Sequence, residues 1–207
     1  MPTRYGHFDD ETCEYVIETP HTPRSWENRL WNERLNIQVT NHGTGVVYER
    51  HDGRFILYQW QGDRALFVAD RTRGTLWSPC WYPVRAELDH YRCRHGRQYT
   101  VHEGARDGIA VEWTVTVHPE EAAELWRLRV RNESGERRAV DLAPLYELDL
   151  SFRDPYFGTS NLFRAHVDED AHLLYVKNES HRRDLETYAV GLHASVPFNG
   201  WELAREA

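Results

Sequence analysis

Lysine is almost missing from this chain. Of its 25 basic residues only Lys177 is a lysine and the rest are arginine, a skew that genome composition explains as well as function does. Acidic residues outnumber basic ones, 33 to 25, which leaves a formal net charge of -8 and a pI near 5.8. That balance excludes a nucleic-acid footprint. No apolar run approaches the roughly 20 residues that a membrane-spanning helix needs. The start, Met1-Pro2-Thr3-Arg4-Tyr5-Gly6, has no apolar segment of a secretory signal, so a cytoplasmic location is the expectation. Cysteine is scarce: Cys13, Cys80 and Cys93 are odd in number with no Cys-x-x-Cys spacing, and reduced thiols are predicted.

Motifs of chemistry are also missing. Gly43-Thr44-Gly45 lies between apparent strands and precedes no helix, so it is no phosphate cradle. The twelve histidines include no His-x-His or His-x-x-x-His pair, and no metal site is predicted. No Gly-x-Ser-x-Gly elbow appears, and the cysteines have no nucleophile context. Acidic runs such as Asp9-Asp10-Glu11, Glu120-Glu121 and Asp168-Glu169-Asp170 read as solvated loop ends. Glycoside chemistry needs two carboxyls facing each other across a bond, and spacing selects no such pair. The chain is therefore expected to hold no catalytic residue, no metal and no cofactor of its own.

What the chain has is period-two alternation in short runs bounded by Gly, Pro, Asn and Asp. Val111, Trp113, Val115 and Val117 alternate with polar residues, as do Trp126, Leu128 and Val130 with three arginines. A turn at 132–135 followed by Val140, Leu142 and Tyr146 predicts a hairpin returning on the 126–130 strand. Further strands are predicted at 14–17, 35–40, 45–49, 55–60, 66–69, 145–150, 173–176 and 187–194. Helical character is confined to 120–125, expected as a turn or one helical loop, and to the last residues. More than ten short strands without long helices mean a β-sandwich or a large open barrel. At 207 residues one domain is expected. The longest turn-rich interruption, 152–161, suits a functional loop or an interface.

The densest stretch is 77–100. It sets Trp77, Trp81, Tyr82, Tyr91 and Tyr99 among Pro79, Pro83 and Gly96, then adds a turn rich in Arg92, Arg94, His95 and Arg97. Such rings carry large buried area, and an aromatic plug between sheets is one reading; a sugar-facing surface is the other. Of the eight tryptophans, Trp113 and Trp126 belong to the core by alternation. Trp60, Trp77 and Trp81 are the rings that could stack on a sugar.

Ordered strings along the chain resemble a known family. They are Arg4-Tyr5-Gly6-His7-Phe8-Asp9-Asp10, Glu14-Tyr15-Val16-Ile17, Pro20-His21-Thr22-Pro23-Arg24-Ser25-Trp26-Glu27-Asn28, Asn41-His42-Gly43-Thr44-Gly45, Leu76-Trp77-Ser78-Pro79-Cys80-Trp81-Tyr82-Pro83-Val84, Arg94-His95-Gly96 and Glu124-Leu125-Trp126. Together they are similar to the N-terminal part of the cellobiose and chitobiose phosphorylases, glycoside hydrolase family 94. The likeness covers residues 4 to about 150 and is looser beyond Phe152. It implies an all-β fold, a large many-stranded antiparallel β-sandwich of the supersandwich, galactose-mutarotase-like type. It also implies that a helical linker and an (α/α) toroid bearing the general acid would follow.

On that resemblance residues 1–207 are a non-catalytic domain, inactive alone. It would be scaffold, homodimer interface and active-site lid of an inverting phosphorylase that uses inorganic phosphate as co-substrate on a β-linked disaccharide or oligosaccharide. The lid falls on Asn41, His42, Gly43, Thr44 and Tyr48. Val46-Val47-Tyr48 and Leu30-Trp31-Asn32-Glu33 depart from the family's frequent patterns there. Two other readings stand beside it. One is a free-standing carbohydrate-binding module using Trp60 or the Trp77–Tyr82 bend. The other is a mutarotase-like epimerase, for which His95, His102 and Glu147 are the available grouping.

Overall fold

Alternation becomes strand in the computed structural model, which describes residues 4–51, 54–59, 64–146, 163–178 and 189–202. Among the described residues there are sixteen strands and no helix. The chain divides into two compact units, Met1–Glu147 and Leu148–Ala207.

The first unit is built on a six-stranded antiparallel sheet. Its order is β1 (Gly6–Asp9), β2 (Glu14–Ile17), β9 (His90–His95), β10 (Tyr99–Arg106), β11 (Ile109–Val117) and β12 (Glu124–Asn132). Cross-strand register places Phe8, Tyr15, His95, Thr100, Val115 and Trp126 in one row. The neighbouring row on the same face holds Ile17, Cys93, His102, Trp113 and Leu128. Ile17, Cys93, His102, Trp113 and Val115 are wholly buried, so this is the inward face, as period two requires.

A four-stranded sheet of β3 (Glu27–Trp31), β4 (Leu35–Thr40), β5 (Val47–His51) and β6 (Arg54–Gln59) covers that face. Leu30, Leu35, Ile37 and Val39 turn inward from it. Polar bonds join the two layers. Asn28 Nδ2 donates to the carbonyls of Gly96 (2.7 Å) and Tyr99 (3.0 Å). Asn32 Nδ2 donates to those of His118 (2.7 Å) and Glu121 (2.8 Å), holding the β11–β12 connection. A third sheet in this unit runs β13 (Val140–Tyr146), β7 (Arg64–Asp70), β8 (Thr75–Trp77).

The second unit, taken by itself, shows a three-stranded meander of β14 (Phe163–Asp168), β15 (Leu173–Asn178) and β16 (Ala189–His193). Its acidic run is a turn tip: the Ala171 amide donates to Asp168 Oδ1 at 2.9 Å, and His172 closes the turn at φ 49°.

Two sequence expectations change. The 132–139 turn does not close a hairpin, because β12 pairs with β11 while β13 pairs with β7. The segment carries the chain from one sheet to another, and Arg138 fixes it by a buried ion pair to Asp70. The arginine-rich turn is shorter than expected. Arg92, Arg94 and His95 lie in β9, and Arg94 is held between Glu14 (2.9 Å) and Glu103 (2.9 Å). Residues 119–122 are bends, closed by the Ala123 amide on the Glu121 carbonyl at 2.8 Å, so this connection is the expected turn and not a helical loop. Trp60, Glu147, the 152–161 interruption and the parts of two expected strands at 147–150 and 187–188 lie outside the described residues.

Candidate functional site

After β8 the chain is packed tightly and then released. Trp77, Ser78 and Cys80 are buried at 0–1% exposure. Pro79 lies so close over β10 that a Cβ on Gly104 would meet its backbone at 2.6 Å. Then the backbone turns outward, with the Trp81 amide donating to the Ser78 carbonyl (3.0 Å) and the Arg85 amide to that of Trp81 (2.6 Å). Trp81 and Arg85 sit at φ 69° and 58°. Left-handed backbone on bulky residues costs on the order of 1–3 kcal/mol each, so surrounding contacts must hold it. The Trp81 ring lies 5.1 Å from that of His21 and 5.7 Å from that of His42. The Arg85 guanidinium stands over the rings of Trp81 (5.6 Å) and Tyr82 (5.8 Å).

The β4–β5 connection meets this bend. Asn41 is wholly buried; its amide and Oδ1 pair with the backbone of Trp26, both at 2.8 Å, and its carbonyl accepts from the Tyr91 hydroxyl at 2.7 Å. The turn closes through Gly43 N to Thr40 O (2.9 Å) and Thr40 N to Thr44 O (2.9 Å). Gly43 adopts φ 82°, and a Cβ there would stand 2.8 Å from Cys80 Sγ and 2.9 Å from the Trp113 ring. Glycine is thus required twice over, by conformation and by space. Gly43→Ala is expected to lower stability by about 2–4 kcal/mol. Gly74→Ala, at φ 66° with nothing within 4 Å, isolates the conformational part at about 1–2 kcal/mol. Urea unfolding of the two variants gives the difference.

His42 and Thr44 point the other way from Asn41. The His42 Nε2 faces the Pro20 carbonyl at 2.8 Å, so it carries the proton, and Nδ1 accepts from the Ser25 hydroxyl at 3.1 Å. Thr22, Arg24, Ser25, His42, Thr44, Trp81, Tyr82 and Arg85 enclose a depression of about 450 Å³, within the range of small-molecule sites. The lining combines the Trp81 and Tyr82 rings with hydroxyls and guanidinium groups, which suits the C–H face and hydroxyls of a sugar.

The expected site residues therefore separate. His42, Thr44 and Trp81 converge on the depression. Asn41 and Gly43 are structural supports behind it. Tyr48 is half-buried on β5, paired with Asn36. Trp77 is corrected to core: fully buried, it has no ring face for a sugar. Tyr82 joins the depression as part of the aromatic bend already proposed for a sugar, while Ser25 and Arg85 join it without having been singled out. Only the Pro20–Asn28 string and the aromatic bend signalled them, and neither assigns a side chain a direction. His95 and His102 lie on adjacent strands, but both are committed to structure. His102 Nε2 donates to Thr40 O (2.9 Å) and His95 Nε2 to Trp26 O (3.2 Å), and His102 is wholly buried. Burial lowers the pKa of His95 to about 4 and of His102 to about 3, only partly opposed by those carbonyls. Burial likewise pushes the Cys80 and Cys93 thiols well up, which makes them inert. Among the described residues no group of three His, Cys, Asp or Glu could hold a metal.

A family model described as Glycosyl hydrolase 94, supersandwich domain, matches residues 13–207. The chain belongs to this family. The match runs through both compact units, and the several antiparallel sheets are those of a supersandwich. Among similar proteins, the solabiose phosphorylase of Paenibacillus borealis is 30% identical over 98% of this chain and 28% of its own length. The N,N'-diacetylchitobiose phosphorylase of Vibrio furnissii is 30% identical over 72% of this chain and 20% of its own length. The cyclic beta-(1,2)-glucan synthase of Rhizobium meliloti is 28% identical over 66% of this chain and 5% of its own length. The chain thus spans less than a third of the length of these relatives. It corresponds to the supersandwich part of the phosphorylases.

Proposed function

We propose that this supersandwich acts as the non-catalytic N-terminal domain of an inverting disaccharide phosphorylase for β-glucosides, with inorganic phosphate as co-substrate and the cytoplasm as its compartment. Its work there is to scaffold a catalytic domain, to contribute to a homodimer interface and to line the mouth of an active site. The observation that carries this reading is the division of the β4–β5 connection. Asn41 and Gly43 are locked inside, so that His42 and Thr44 are presented rigidly beside Trp81 and Tyr82. Preorganised groups lose little freedom when a sugar is bound, which suits a lid wall.

The reading expects the 207-residue chain, given cellobiose, N,N'-diacetylchitobiose or solabiose and phosphate, to release no sugar 1-phosphate. It expects His42→Ala, in a polypeptide that also carries the catalytic domain, to raise KM for the disaccharide about three- to tenfold while kcat stays within twofold, the signature of lost uniform binding. Phosphorolysis by the chain alone, or a His42→Ala effect confined to kcat, overturns it.

A further inference from the structure

A second depression shares the Arg24–Ser25 segment with the first in its lining. We infer that it is a separate binding site for a saccharide bearing an anionic group, with the pyranose ring on Trp26 and Tyr15 and the anion between Arg24 and Arg97. This inference is independent of the lid role.

The depression arises where the six-stranded sheet outruns its cover. Phe8 and Tyr15 belong to the inward-facing row, yet Phe8 is 75% exposed. A ring on a core face left open to water is the informative exception to burial. Phe8 and Tyr15 meet edge to face at 4.8 Å, and Tyr15 and Trp26 at 5.5 Å. They form a stepped wall around a space of about 730 Å³, which suits a disaccharide.

The wall is rigid. Asn28 spends its Nδ2 on Gly96 O, Tyr99 O and Thr100 Oγ1, and His95 bridges Trp26 O and Thr100 Oγ1. Those bonds fix the turn that carries Arg97. The charge is the second, separate observation. Arg24 and Arg97 line the space and neither makes an ion pair among the described residues, although acids outnumber bases in the chain, 33 to 25. By contrast Arg94, two residues before Gly96, is neutralised by Glu14 and Glu103. Glu27, on the same rim, is engaged by Arg29 at 3.4 Å and by the Gln38 amide. Two uncompensated guanidinium forks beside aromatic faces favour a planar or tetrahedral anion attached to a ring.

The chemistry fits a sugar carboxylate or a sugar phosphate, and calorimetry on the 207-residue chain separates them. Cellobionate, glucose 1-phosphate, neutral cellobiose and inorganic phosphate are titrated in turn, with tryptophan fluorescence in parallel. At least one acidic saccharide is expected to bind tenfold or more tighter than cellobiose and than phosphate, with the preference shrinking at high salt. Arg24→Ala combined with Arg97→Ala, two exposed positions, should erase that preference, with near-UV circular dichroism as the check on folding. Arg85→Ala, in the first depression only, should leave it intact. Equal affinity for cellobiose, equal affinity for inorganic phosphate, no heat with either acidic saccharide, or loss of binding in Arg85→Ala but not in the double variant each overturns the proposal.

Discussion

Glu124→Ala is expected to lower the unfolding free energy by about 3–5 kcal/mol, seen as a fall in the urea midpoint at unchanged slope. The reason is the group left behind. The Arg64 side chain is 0% exposed and has Glu124 as its carboxylate partner. Arg64 Nε lies 2.7 Å from Glu124 Oε1 and Nη2 donates to Oε2 at 2.8 Å, while Nη1 reaches only the Gln38 carbonyl at 3.3 Å. The same carboxylate accepts from the Tyr146 hydroxyl at 2.9 Å and from the Trp126 indole. Burial alone would draw the Arg64 pKa down, but Glu124 and Tyr146 outweigh it and raise it. Burial, followed by the charge of Glu124, pushes the Tyr146 phenol well up. Removing the carboxylate strands a buried guanidinium and orphans two further donors. Replacing the cluster together, with Arg64→Met, Glu124→Leu and Tyr146→Phe, should recover most of the loss, since a buried ion pair and an apolar trio of similar volume are often close in stability. A loss below about 1 kcal/mol in Glu124→Ala would mean that water reaches Arg64 and that the cluster is not sealed.

Acid is the second large lever. In the unfolded chain a histidine titrates near 6.5, whereas folded His102 and His95 stay neutral down to about 3 and about 4. Both folded values lie below the unfolded value. The unfolded state therefore binds protons first as pH falls below 6.5, and stability drops through the window from 6.5 to about 4 and then about 3. Each histidine removes on the order of 2 kcal/mol by pH 5. His102 has no means to accept a proton in place, because its Nδ1 is buried without a partner. His102→Gln keeps a donor for Thr40 O and removes the titration. Its stability should fall more gently than that of the parent between pH 6.5 and 4.5 in urea titrations. Parallel pH profiles for the two proteins would show that His102 charges without unfolding.

The strands were legible because alternation is a direct image of the pleat: Val111, Trp113, Val115 and Val117 declare one face of β11 before any partner is known. Pairing was not legible in the same way. Trp126–Val130 and Val140–Tyr146 look like two arms of a hairpin, yet each finds a better neighbour elsewhere, and the Arg138–Asp70 pair with the Ala139 bonds to Arg71 and Thr72 shows why the connection between them leaves the sheet. Polar residues that build layers, such as Asn28, Asn32 and Asn41, carry no hydrophobic pattern. They also bond to backbone carbonyls 68 to 89 positions away in the cases of Asn28 and Asn32, and nothing local announces them. The site was half legible. Composition flagged the aromatic bend and the family likeness flagged the turn at 41–48. That Trp77 faces inward and Trp81 outward depends on the left-handed step at Trp81, which β-branched patterns and glycine signals do not reveal.

The union of β2 with β9 has a consequence for how the protein is made. Tyr15 finds its partner His95 80 positions further along the chain, whereas β9 to β12 join through short consecutive reversals. Closing the long loop costs more entropy than closing the short ones. The meander of β9 to β12 is therefore the natural first platform, and the amino-terminal hairpin docks afterwards. On a ribosome that order is reversed in time. The hairpin emerges first and waits, its open edge unpaired, for roughly 4–15 seconds at ordinary synthesis rates until its partner strand arrives, which leaves that edge open to mispairing in the interval.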